Sequence, residues 1–332
     1  MAPKAIPMVL LAAYFFIGYF FLCLGTIQSQ PTNRNAFGFI QNLTGGHKGE
    51  IVPGLSELKQ YLQRFGYLDS EAVENVAEAQ NYDDVNSIDY FDDVLESAIK
   101  AYQRNYNLNV TGTLDPPTVR QMMLPRCGFP DTVNGTTSFP ISHDHDHDHD
   151  HNHDHDHVHK QLIHGVRHYS FFRGSPRWNK YQLTYRFVAG VQVPGTSNIR
   201  SIVYRAFQRW ARVTRFTFTE VASNVQSDIS IGFFRGYHGD NAPFDGTGGT
   251  IAHAYAPSVG WFHYDADEYW SENPNYYQMD LESVAVHEIG HLLGLDHSTV
   301  AAAIMYPSIN SGAIKRELNA DDINGIRALY AF

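Results

Sequence analysis

The stretch His287-Glu288-Ile289-Gly290-His291-Leu292-Leu293-Gly294-Leu295-Asp296-His297 constrains this 332-residue chain more than any other. It reads H-E-x-x-H-x-x-G-x-x-H. Residues four apart share one face of a helix, so His287 and His291 aim two imidazoles at one metal ion. Glu288 stands one step from His287, beside the metal rather than on it, where a general base for bound water sits. Gly294 can take the left-handed conformation that ends a helix and turns the chain, and that turn brings His297 round as a third ligand. Three protein ligands leave the fourth zinc position open, which is the catalytic rather than the structural arrangement. A bare H-E-x-x-H arises by chance in buried helices, but the eleven-residue pattern is far more specific.

Downstream, Ile304-Met305-Tyr306-Pro307 supplies a candidate Met-turn, and Ser298 follows the third histidine. Together these residues resemble the matrixins, the matrix metalloproteinase family of the metzincin clan. The resemblance implies an α+β protein with a catalytic domain of one twisted mixed sheet and three helices. It implies a zinc endopeptidase acting on protein or peptide substrates, with Met305 as the floor of the zinc site. It also implies that the strand holding Ile251 and Ala252 pairs with an extended substrate. In matrixins a Pro-x-Tyr wall follows the Met-turn. Here it reads Pro307-Ser308-Ile309, without the tyrosine, and the pocket is expected to take an apolar side chain just after the cut bond.

A second cluster precedes the motif helix. His238, Asp240, His253 and His263 make three imidazoles and one carboxylate, enough to close a tetrahedral zinc site with no open position. Asp245, Asp265 and Glu268 offer hard oxygens, and a glycine-rich loop can turn the carbonyls of Gly246, Gly248 and Thr250 inward, which suits calcium. These positions match the matrixin pattern for a structural zinc and a structural calcium. Only nine residues separate His253 from His263, fewer than in vertebrate matrixins, which puts a further calcium site in doubt.

The N-terminal third reads as the other half of the same device. An uncharged run follows Lys4, and residues 1–30 are expected to be a secretory signal peptide, with an uncleaved membrane anchor as the alternative. Apolar stripes over Leu55–Phe65 and Phe91–Tyr102, then Asp115-Pro116 opening a third helix, predict a small three-helix unit. It resembles the peptidoglycan-binding-like domain of matrixin propeptides. Pro125-Arg126-Cys127-Gly128-Phe129-Pro130-Asp131 then resembles the matrixin cysteine switch. The resemblance implies that the Cys127 thiolate takes the open zinc position and that Arg126 and Asp131 pair to hold the loop. With Cys23 inside the signal, Cys127 is the sole cysteine of the remainder.

From His143 to His159, nine histidines alternate mainly with aspartate, a low-complexity linker that cannot form a core. Weak metal binding or a charge change near pH 6.5 is the sharper reading of that tract. The boundaries expected are therefore 1–30 signal, 31–131 propeptide, 132–168 linker and activation region, and 169–332 catalytic domain. Strands over 181–188, 215–220 and 228–233, with helices over 199–213 and 281–293, complete the outline, and Asn319 caps a last helix. The net charge of −11, with no basic patch, argues against a nucleic-acid partner. Sequons at Asn42, Asn109 and Asn134 accord with secretion to the cell wall or matrix. The short layout and the Pro-Ser-Ile wall look most like plant matrixins. A monomer is expected, open to a proteinaceous inhibitor. The rival from another class is a non-catalytic secreted glycan- or metal-binding protein, against which Glu288 and the third histidine both argue.

Overall fold

The computed structural model describes residues 35–69, 88–133, 136–137 and 168–331. The signal region, the His/Asp tract and the Asn134 sequon lie outside them, whereas Asn42 and Asn109 are exposed. Two hydrophobic cores form. The first gathers a 3₁₀ turn at Gly38–Leu43 with helices α1 (Leu55–Arg64), α2 (Asp93–Asn105) and α3 (Pro116–Met122). Asp92 caps α2 and Asp115 caps α3, each carboxylate accepting a backbone N–H three residues on. Leu58, Leu62, Leu95, Ile99 and Tyr102 fill the space between the helices.

Three short strands follow: β1 (Arg126–Cys127), β2 (Thr132–Val133) and β3 (Thr136–Thr137). The second core belongs to the remainder. Strand β4 (Gln182–Phe187), helix α4 (Ile199–Ala211), and strands β5 (Thr217–Glu220) and β6 (Ile229–Phe234) lie within two residues of the expected bounds. Then come β7 (Thr250–Ala254), β8 (Trp261–Asp265), β9 (Trp270–Ser271) and β10 (Met279–Asp280). Helices α5 (Leu281–Leu292) and α6 (Ala320–Tyr330) end the chain. The main sheet has the order β1-β7-β8-β6-β4-β5. Its pairs are parallel except β7 with β8. The parallel pairs require crossovers, and α4 supplies the one between β4 and β5.

Helix α5 is buried along all twelve residues, and its apolar side chains are spread round the helix rather than confined to one face. Asp280 caps it by accepting from Ser283 N at 2.9 Å, and Arg316 pairs with Asp280 at 2.6 Å. Trp210 of α4 donates its indole N–H to the Val286 carbonyl, and Trp178 does the same to Leu292, satisfying a carbonyl in the last turn. Glu282, also buried, is neutralised by Arg205 and Arg209 of α4. The helix that carries the motif is thereby fixed from both ends and one flank.

Candidate metal centre and cleft

His287 and His291 project from one face of α5, one turn apart. Gly294, at φ +101°, turns the chain, and a Cβ there would lie 2.5 Å from the Pro176 carbonyl oxygen. The turn returns His297 to its partners. The Nε2 atom of His291 stands 3.1 Å from Nε2 of His287 and 3.2 Å from Nε2 of His297. Each Nδ1 is already engaged, His287 by the Ile304 carbonyl at 2.8 Å and His291 by the Leu295 carbonyl at 2.8 Å. Those acceptors hold the ring protons on Nδ1 and leave the Nε2 lone pairs facing one another. Lone pairs so aimed repel unless a cation stands between them, so this donor set fits zinc. Burial pushes the pKa values of His287 and His291 well below the ordinary range, which keeps both rings in the neutral, ligating form.

Met305 packs closely against α5 beside the motif. A Cβ on Gly290 would lie 2.2 Å from the Met305 sulfur, so the second x of the motif must be glycine for Met305 to pack against α5. Met305 and Ile304 are held by Asp322 of α6, whose carboxylate accepts both backbone N–H groups at 3.1 and 2.8 Å. The sequence marks Asp322 only as an acid suited to a helix N-terminus; its second duty depends on a contact 17 residues away. Glu288 is buried beside the cluster, and its Oε2 has no hydrogen-bond partner among the described residues. Burial pushes its pKa up to about 8, and a bound dication would act in the opposite direction.

The fourth ligand atom comes from the first half of the chain. Cys127 Sγ lies 3.4 Å from His291 Nε2, and the four side chains form one buried group of converging ligand atoms. Burial, then the charge of Glu288, raises the thiol pKa; a zinc ion would oppose both. The segment around Cys127 lies in a cleft and bonds to both walls. Arg126 N donates to Gly249 O and Gly128 N to Ala252 O on the β7 side, with β1 parallel to β7. Cys127 N donates to Pro307 O and Ile309 N to Pro125 O on the other side. The expected pairing of Arg126 with Asp131 is present and buried, at 2.6 Å. One contact was not legible beforehand: Asp131 Oδ1 lies 2.9 Å from His297 Nδ1, so the carboxylate that shapes the loop also orients the third histidine. Burial alone would raise the Asp131 pKa, but Arg126 and His297 outweigh it and hold the carboxyl below the usual range.

The second histidine set converges as expected. Asp240 Oδ2 lies 2.8, 2.7 and 2.8 Å from His238 Nε2, His253 Nε2 and His263 Nδ1. Four donors around one point fit a closed zinc site. Among the described residues, these two sets alone bring three or more such ligand atoms within 4.8 Å of one another. Asp245, Asp265 and Glu268 neighbour each other more loosely. Burial, then the charge of Asp245, raises the Asp265 pKa to about 7; Glu268 is pushed up to about 8, burial leading and the other two acids adding. Asp265 Oδ2 is buried with no partner among the described residues. Mutually repelling buried acids with a spare oxygen fit a hard cation. Of the expected carbonyl donors, Gly246 and Gly248 lie on the adjoining loop and Thr250 opens β7; the first half of the chain also touches that loop, where Arg64 pairs with Asp245 at 2.8 Å and Ala36 N donates to Thr247 O.

The sequence compares as follows. The family profile described as Matrixin matches residues 177–331, and that of a putative peptidoglycan-binding domain matches residues 52–122. The chain is 44% identical to Metalloendoproteinase 2-MMP of Arabidopsis thaliana over 308 residues, covering 90% of this chain and 76% of that protein. It is 43% identical to Metalloendoproteinase 1 of Glycine max, over 86% of this chain and 84% of that protein. It is 38% identical to the interstitial collagenase of Sus scrofa, over 70% of this chain and 42% of that protein.

Proposed function

The chain belongs to the matrixin family of zinc metalloendopeptidases, and from that premise we propose that it is made as a latent, secreted proenzyme which Cys127 silences. The observation that carries the proposal is the thiol itself: Cys127 Sγ completes the ligand group of His287, His291 and His297 from a segment lying in the cleft. Residues 1–30 act as the signal, 31–131 as the propeptide, 132–168 as the linker cut on activation, and 169–332 as the catalytic domain. No described helix is long and apolar enough to cross a membrane.

The three histidines hold the catalytic zinc, which when bound supplies Lewis acidity to the scissile carbonyl and to the attacking water. Glu288 takes the proton from that water and hands it to the leaving amine. Its buried Oε2 has no partner among the described residues, which leaves that oxygen free for this exchange. The backbone groups of β7 and of Pro307–Ile309, now bonded to residues 125–128, receive an extended substrate in their place. The cavity beside Glu288, walled by Ile251, Val284, Ile304 and Ile309, takes the side chain that follows the cut bond. His238, Asp240, His253 and His263 hold a structural zinc, and Asp245, Asp265 and Glu268 with the loop carbonyls hold calcium. The enzyme works as a monomer and offers the same cleft to a proteinaceous inhibitor.

The test is peptidase activity of the purified proprotein before and after a thiol-reactive mercurial. A silent proprotein that gains chelator-sensitive cleavage supports the reading. A proprotein already fully active removes the role of Cys127. Zinc-loaded protein that never cuts removes the enzyme.

A further inference from the structure

The loop that leads into β7 is shared between two sets of neighbours. The first is the acidic set. Asp245 Oδ1 accepts from Thr250 N at 2.8 Å, and Glu268 Oε1 accepts from Gly248 N at 2.5 Å. Asp265 is fully buried, and its Oδ2 has no partner among the described residues. A bare anionic oxygen inside a protein is costly unless a cation meets it. The second set belongs to the first half of the chain. Arg64, in the last turn of α1, donates to Asp245 Oδ2 at 2.8 Å and to the Pro243 carbonyl at 3.0 Å. Ala36 N donates to Thr247 O at 2.9 Å, and Arg126 N, beside Cys127, donates to Gly249 O at 3.0 Å. The loop carbonyls are thus divided. Those of Thr247 and Gly249 go to the propeptide, and the intervening ones, of Gly246, Gly248 and Thr250, are those assigned to calcium. The Asp245 carboxylate alone is claimed from both directions.

Held by Arg64, Asp245 has less charge to offer a calcium ion, and the guanidinium adds the repulsion of a second cation close by. We infer that Arg64 sets calcium loading and propeptide docking against each other: the latent chain binds calcium more weakly because Arg64 sits on Asp245, and bound calcium loosens the propeptide in return. The inference rests on the reading of Asp245, Asp265 and Glu268 as a calcium site. Linkage makes the two effects equal. The factor by which the docked Arg64 lowers calcium affinity is the factor by which calcium lowers the closed-to-open ratio of the loop around Cys127. Couplings between sites are commonly about 5- to 150-fold. The side chains of Arg64 and Asp245 are 30% and 21% exposed, which screens their pairing and places the effect near the low end, at about tenfold. A proenzyme built in this way stays shut where calcium is scarce and is readied for activation where it is plentiful.

The experiment uses the full zinc-loaded, uncleaved chain, freed of calcium and titrated with calcium by calorimetry. Asp265→Asn marks which binding event belongs to this site. Arg64→Met keeps an apolar stem and removes the charge, and should bind calcium there about tenfold more tightly than the native chain. In the reciprocal measurement, saturating calcium should speed the labelling of Cys127 by a thiol reagent about tenfold in the native chain and leave the rate of Arg64→Met unchanged. The inference is overturned if calcium slows native labelling or leaves it unchanged, a result that needs no variant to fold. It is overturned too if Arg64→Met, with a native melting profile, binds calcium no more tightly than the native chain. If the native chain and Arg64→Met both bind calcium no better than Asp265→Asn, the calcium site itself fails and the inference falls with it.

Discussion

Replacing Arg126 by alanine tests what keeps Cys127 in the cleft. The guanidinium is 1% exposed and makes two bonds to Asp131, at 3.0 and 2.6 Å. It also donates to the Tyr106 hydroxyl at 3.0 Å, to the Cys127 carbonyl at 3.1 Å and to the Phe129 carbonyl at 3.3 Å, and lies 3.5 Å over the Phe65 ring. The substitution removes all of these and leaves Asp131 buried with Tyr67, Tyr106 and His297. Breaking a buried ion pair by removing one partner costs about 3–5 kcal/mol, because the other charge stays behind unpaired. The loss falls on the closed loop alone, since in the open loop both groups are in water. The closed-to-open ratio should therefore drop by roughly a hundredfold to a few thousandfold. The rate at which a thiol reagent labels Cys127 under native conditions follows the open fraction, and should rise accordingly. Peptidase activity should appear in the uncleaved chain alongside it. Arg126→Lys, which keeps the charge and loses the fork, should fall between the two. If Arg126→Ala folds, by its circular dichroism, yet labels within threefold of the native protein, the ion pair is not what holds the latch.

Cys127→Ser should release activity in the intact chain without the mercurial, since a serine hydroxyl is a poor substitute for a thiolate on zinc; an inert variant would mean that the rest of the propeptide blocks the cleft unaided. Glu288→Gln should retain zinc by metal analysis but lose cleavage by about a hundredfold or more, and a rate near the native one would remove Glu288 from proton transfer. Gly290→Ala forces a methyl against the Met305 sulfur, an overpacking that costs about 1–3 kcal/mol. In thermal melts it should lower Tm by about 2–4 °C per kcal/mol; an unchanged Tm would show that Met305 yields freely.

What the sequence disclosed and what it withheld divide by range. The His287–His297 motif is read from spacing because a helix and one glycine turn fix its geometry locally, and the three rings do converge. Amphipathic stripes in Leu55–Arg64, Asp93–Asn105 and Ile199–Ala211 were legible for the same reason: the period that buries one face is written in neighbouring residues. The set of His238, Asp240, His253 and His263 was found by composition rather than by period, since metal-ligating residue types are scarce enough to stand out. The contacts that hold the loop around Cys127 left no such mark. Nothing near Asp131 in the chain announces His297, 166 residues on. Arg64 reads as a helix-terminal base, yet it pairs with Asp245 across 181 residues. Lys315 reads as one of two adjacent basic residues in a polar loop, although it lines the cavity beside Glu288. In each case an ordinary charged residue takes its role from the partner that folding delivers. Local chemistry therefore names the zinc site in advance, while the contacts around it depend on pairings that only the folded chain brings together.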